Sequence, residues 1–168
     1  MIEEQVLFHG SYLVVEHPDD KHNRNNVDFG KGFYLTGMHG QAEIWAVRKY
    51  NQALRTGIRD AQPVINRYIL DRELVISKFK TKYFSGTSDE WLDFVARNRN
   101  GEKHDYKMVE GPISDDKIYL FVSDFLIGNI TREHFHRLAA FTKETHQIML
   151  REDALECLKF IGYEILEV

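Results

Sequence analysis

Phe29-Gly30-Lys31-Gly32-Phe33-Tyr34-Leu35-Thr36 is the stretch on which the fold turns. The segment from Gly32 to Thr36 is short and aromatic and is flanked by glycines, which reads as a strand. It is not a phosphate loop, because no Gly-Lys-Ser/Thr follows. It also misses the dinucleotide fingerprint, since Leu35 stands where the third glycine belongs and no strand–turn–helix unit surrounds it. Upstream, residues 4–8 read as a strand running into His9-Gly10-Ser11. A glycine there lets a ligand approach the backbone and reach an N–H and a C=O. A neutral histidine beside it offers one donor and one acceptor. Downstream, residues 41–56 turn helical, with Ile44, Val47 and Ala42, Trp45, Ala46 at helical spacings and Gly57 as the stop. Tyr34 and Trp45 near glycine-bared backbone would form a slot for a flat ring. Taken singly, His-Gly-Ser is an ordinary turn, and either aromatic serves as well in a core.

The rest of the chain alternates between strand and helix signals without the regular βαβ order of a doubly wound fold. Residues 17–28 are polar and read as a loop. Residues 63–70 and 73–80 are rich in β-branched residues and predict two strands. Thr87-Ser88-Asp89-Glu90 is a capping box that opens a helix to about Asn98. Tyr106 to Glu110 reads as a strand ended by Gly111-Pro112. Ile118, Phe121, Val122 and Phe125 form a helical stripe capped by Asp115 or Asp116, and Thr131 caps a helix carrying Phe135, Leu138 and Ala139. Gln147 to Leu150 reads as a buried strand, 153–160 as a helix and 163–168 as a closing strand. The class is α+β.

No repeat or linker divides the 168 residues, so a single domain over 1–168 is expected. A hydrophobic content of 43% with 29% charged residues excludes disorder and coiled coil. No apolar run approaches the ~20 residues of a membrane helix, and the acidic Met-Ile-Glu-Glu start lacks a secretory character. The net charge of −4 argues against a broad nucleic-acid footprint. The lone Cys157 excludes an internal disulfide and fits a reducing, cytoplasmic location. No histidine grouping has metal-ligand spacing: His17 and His22 lie in the polar loop, and His134 and His136 point to different sides of a helix. No metal is expected.

Val6-Leu7-Phe8-His9-Gly10-Ser11 and Phe29–Thr36 together resemble the first two motifs of the poly(ADP-ribose) polymerase and diphtheria-toxin branch of ADP-ribosyltransferases. The chain is similar more fully to a bacterial family of ADP-ribosyltransferase-like domains of uncharacterised function. That likeness is carried also by Gln41-Ala42-Glu43-Ile44-Trp45-Ala46, Val109-Glu110-Gly111-Pro112-Ile113-Ser114-Asp115-Asp116 and Ala154-Leu155-Glu156-Cys157-Leu158-Lys159-Phe160. The resemblance implies an ADP-ribosyltransferase-like fold, a split pair of small, mostly antiparallel sheets around an NAD cleft with flanking helices.

Position by position, the resemblance implies that His9 bonds the adenosine ribose and that the Gly10 backbone grips the nicotinamide amide. Tyr34 would line the nicotinamide and Trp45 would stack on it, with Ser11, Gly32 and Phe33 completing the motifs. Arg24 and Lys31 are candidates for the pyrophosphate. Ala42 stands where a serine often helps hold the amide, and Gln147 stands in the place of the usual catalytic glutamate. An amide can bond a ribose hydroxyl but cannot act as a base. This argues for single transfers, or for none. Glu144 and Glu110 are possible substitutes. The implied activity is mono-ADP-ribosyl transfer from NAD, with Gln147 and Tyr34 catalytic, to an acceptor that could be protein, nucleic acid or a small molecule. That would suit a bacterial toxin or effector held by a neutralising protein partner. The alternative is a non-catalytic NAD, ADP-ribose or protein-binding module.

Overall fold

The computed structural model describes residues 4–21, 27–112, 116–143 and 145–168. Its strands are β1 (Val6–Ser11), β2 (Phe33–Leu35), β3 (Val64–Leu70), β4 (Thr81–Tyr83), β5 (Met108–Gly111), β6 (Gln147–Leu150) and β7 (Leu158–Ile165). Its helices are α1 (His39–Arg55), α2 (Arg72–Lys78), α3 (Asp89–Arg99), α4 (Asp116–Leu126) and α5 (Arg132–Ala139), with a 3-10 turn at Glu152–Cys157. The strands form two small sheets, ordered β1-β3-β7 and β2-β6-β5-β4. All pairings are antiparallel except β4–β5, which are parallel and joined through α3. The fold is therefore α+β. No helix among the described residues is long and apolar enough to cross a membrane.

The period-two pattern of each strand decides which layer its side chains join. Leu7 and Tyr68 of the first sheet meet Phe33, Leu35, Ile148 and Leu150 of the second, forming a core between the sheets. The alternate residues of the second sheet, Val109 and Met149, face outward against Trp91, Val95, Val122 and Phe135 of α3, α4 and α5. Trp91 is fully buried, and its ring N–H donates to the Pro112 carbonyl at 3.0 Å. On the far face of the first sheet, Phe8 and Ile65 pack against Ala42 and Ala46 of α1.

Three expectations change. Residues 73–80, read as a strand from Val75 and Ile76, form α2 up to Lys78. The Asp71 carboxylate accepts the Leu74 N–H at 3.0 Å and caps the helix, and this local bond outweighs a weak β preference. The expected helix over 153–160 shortens to the 3-10 turn, and β7 begins at Leu158 instead of 163. Cross-strand pairing with the length of β3, Val64↔Ile165 through Leu70↔Leu158, outweighs the local helical spacing. Strand β1 does not stop at residue 8 but runs through His9 and Gly10 to Ser11, paired with β3 throughout. The three-residue β4 had no sequence signal. At α3 the cap is Ser88, whose hydroxyl accepts the Trp91 N–H at 3.2 Å.

Candidate functional site

The candidate residues meet where β1 parts from β2. Phe8 and Thr36 exchange two backbone hydrogen bonds, N–H to O at 2.8 and 2.9 Å, making a single antiparallel bridge between the sheets. In an antiparallel ladder the next bonded pair lies two residues on, so Gly10 should pair with Tyr34. It does not. The His9 ring takes that place, with Nδ1 lying 2.6 Å from the Tyr34 carbonyl oxygen. A carbonyl only accepts, so Nδ1 carries the proton and Nε2 is left as an acceptor. The strands splay beyond the bridge. Because Phe8 turns its N–H and C=O toward β2, alternation turns those of Gly10 the same way, away from β3 and into the gap.

Gly10 is also where α1 crosses β1. A Cβ on Gly10 would sit 2.3 Å from the Ala42 carbonyl, 2.6 Å from the Ala46 nitrogen and 3.0 Å from the Trp45 Cβ. The glycine therefore admits the helix, a close approach for which the sequence had suggested a ligand. It also seats Trp45 beside the splayed backbone, with the indole 38% exposed and Arg48 against its face at 5.6 Å. Gly32 serves packing too, since a Cβ there would meet Met149 Sδ at 2.3 Å.

His9 and Tyr34 do not face one another. The imidazole points into the space between the sheets and stacks on Phe33, with centroids 4.2 Å apart. Tyr34 lies on the opposite face, packed toward the α3–α5 cluster. Its hydroxyl donates to the Gly30 carbonyl at 2.5 Å and accepts the Phe29 N–H at 3.2 Å, closing the glycine loop. Burial, reinforced by the Asp28 charge, pushes the phenol far above its ordinary range, so it is no proton carrier near neutrality. That loop is pinned from outside. Asp28 pairs with Arg99 at 2.9 Å, and the His104 ring lies 2.7 Å from the Phe29 carbonyl. Burial drives the His9 imidazole down to about 4, against the pull of its bond to Tyr34 and helped by the Lys49 charge, so it is neutral at pH 7.

Gln147 opens β6, whose register against β2 runs Phe33↔Leu150, Tyr34↔Met149, Leu35↔Ile148. Continued one step, that register sets Gln147 beside Thr36. Alternation puts its side chain on the same face as Tyr34 and, through the Phe8–Thr36 bridge, on the face that carries Gly10 and α1. The side chain is 3% exposed, and its amide nitrogen has no hydrogen-bond partner among the described residues. A buried unpaired N–H costs on the order of 1–3 kcal/mol, and such groups mark places where a further acceptor is expected.

Glu110 lies on the other face of the sheet and has no freedom to act as a base. Arg72 holds it with two bonds of 2.6 and 2.9 Å, and His146 Nε2 lies 2.9 Å from its carboxylate. Burial alone would raise its carboxyl, but the His146 and Arg72 hydrogen bonds and the Arg72 charge pull it down to about 2. Sequence reasoning missed this network, because Arg72 and His146 carry no motif. Ser11 is buried at the end of β1, and Lys31 is exposed. Arg24, Glu144, His22 and Asp115 lie outside the described residues. No cluster of three metal-ligating side chains occurs among the described residues. A shallow apolar groove between α1 and the C-terminus, lined by Ile44, Val47, Leu166 and Val168, contains none of the candidate residues.

A family model described as "Protein of unknown function (DUF3990)" matches residues 5–160. No curated protein and no solved structure matches the chain.

Proposed function

We propose that this chain, which belongs to the DUF3990 family, binds NAD in an ADP-ribosyltransferase-type fold and transfers single ADP-ribose units. The observation that carries the reading is the interrupted ladder between β1 and β2. One residue, Gly10, offers a buried N–H and a C=O side by side, and a primary carboxamide such as that of nicotinamide has the matching acceptor and donor. Trp45 is rooted beside that backbone, so an aromatic cation bound there would meet its indole face. His9 contributes an unprotonated Nε2, suited to accept from a ribose hydroxyl. The orphan amide of Gln147 contributes a donor on the face that carries Gly10, suited to a ribose oxygen there.

The chemistry fits these neutral groups. The bond between the ribose C1′ and the nicotinamide nitrogen breaks, and its electron pair leaves with nicotinamide, which departs neutral and needs no proton. The acceptor's lone pair forms the new bond to C1′, and its proton passes to water. The developing charge resembles that of glycoside hydrolysis. The chain's residues would orient the ribose and exclude water. A second reading is supported by one observation: Gln147 carries no charge, and the carboxylate of Glu110 is occupied by Arg72 and His146. On that reading the cleft binds NAD without turnover.

Incubation with labelled NAD, alone and with cell lysate, separates the two. Nicotinamide release or label transfer that disappears in His9→Ala supports the transferase. Thermal stabilisation by NAD without release supports the binder. If NAD gives neither, and Gly10→Ala and His9→Ala leave that result unchanged, the reading fails.

A further inference from the structure

We infer that His146 is a positioning residue, which with Glu110 and Arg72 holds Gln147 in the orientation the cleft requires. This rests on the reading of the cleft given above.

His146 immediately precedes Gln147 and is gripped on every hydrogen-bonding group. The Gln41 side-chain amide of α1 holds its backbone twice, with Nε2 donating to the His146 carbonyl at 2.8 Å and Oε1 accepting its N–H at 3.2 Å. The Gly37 backbone N–H, between β2 and α1, donates to His146 Nδ1 at 3.1 Å. Nδ1 is therefore unprotonated, and Nε2 carries the proton it donates to Glu110 Oε1 at 2.9 Å. Glu110 in turn receives both arms of Arg72 from the start of α2, and the second arm also reaches the Gln5 side-chain oxygen at 3.1 Å.

The network joins α1, the β2–α1 turn, β5 and α2 at His146, the residue just before β6. Gln147 follows it directly and is the one residue of that strand with an unsatisfied buried donor. A free glutamine amide would lose rotamer freedom on meeting a ligand. One whose backbone is anchored through the preceding residue, His146, loses less, and the ligand gains that difference.

The test compares wild type with His146→Ala, His146→Gln, Gln147→Ala and the double variant His146→Ala/Gln147→Ala. Two readouts are needed. The first is the pair of side-chain NH₂ resonances of Gln147 in ligand-free protein, assigned by their absence in Gln147→Ala. They should be sharp and resolved in wild type and broadened or moved toward free-amide positions in His146→Ala. They should be restored in His146→Gln, which keeps a donor for Glu110. The second is NAD affinity by calorimetry. His146→Ala should weaken it about five- to tenfold, the scale of one lost hydrogen bond. The same change should cost nothing further once Gln147 is alanine.

Unchanged Gln147 resonances in His146→Ala, or additive losses in the double variant, overturn the inference while leaving the cleft intact. Absence of NAD binding to wild type overturns the functional reading instead, whatever the resonances do. If His146→Ala does not fold, His146→Gln and Glu110→Gln carry the comparison. In them, Gln147 resonances and NAD affinity that follow the melting temperature alone would mark a purely structural network and overturn the proposal.

Discussion

Gly10 carries two demands at once, and they belong to different atoms. Its missing Cβ lets α1 lie against β1, while its backbone amide groups face the gap beside Tyr34. Gly10→Ala should destabilise the protein by about 1–3 kcal/mol, because the new methyl meets the Ala42 carbonyl and the helix cannot yield without moving. Urea unfolding checks this. His9 makes a separate prediction with a definite sign. Its folded-state value near 4 lies below the ordinary 6.5, so the unfolded chain binds the proton more readily. The stability this contributes is complete above about pH 6.5 and is lost as pH falls through 4. His9→Gln should remove that slope, as equilibrium unfolding between pH 7 and 4 will show. Both residues were legible in the sequence as candidates. That the imidazole replaces a rung of the ladder was not, because that depends on where β2 comes to rest.

At the scale of elements, short-range chemistry explains most of what could be read in advance. Ser88 and Thr131 cap α3 and α5 as their residue types suggest, each accepting an N–H from three residues on. Ser88→Ala should cost about 1 kcal/mol. The expected signature is a fall in melting temperature with unchanged NAD response, since Ser88 caps the start of α3 and is none of the residues assigned to the cleft. Residues 72–78 and 152–165 misled for opposite reasons. In the first, a single aspartate cap made a helix from strand-like residues. In the second, the open side of β3 drew a helix-spaced segment into an eight-residue strand. Helix α1 shows the same competition on one face. Ala42, Ala46 and Ala53 are buried while Ile44 is 55% exposed, because close approach to Gly10 selects small side chains for the seam.

For the molecule as a whole, the Arg72–Glu110–His146 network ties the two sheets' helices and turns to the start of β6. Glu110 sits near 2 in the folded state against an ordinary 4.5, so its contribution to stability is present above about pH 4.5 and is lost as pH falls toward 2. Acid unfolding of wild type and Glu110→Gln should therefore diverge above that window and converge below it. The window lies under that of His9, so the two contributions separate in one titration.

What the sequence by itself determined is local: residue types that cap, glycines that admit close approach, and alternations that sort side chains between two faces; the interest in His9, Gly10, Tyr34, Trp45 and Gln147 as a set came from the family resemblance. Each local feature depends on neighbours within a few positions, where backbone geometry leaves little choice. Only the tertiary structure decided that the ladder stops after Phe8–Thr36, that His9 and Tyr34 stand on opposite faces, and that Glu110 is bound by Arg72 and His146. Those facts depend on how separate strands align in space, and alignment is set by the packing of two sheets around a common core.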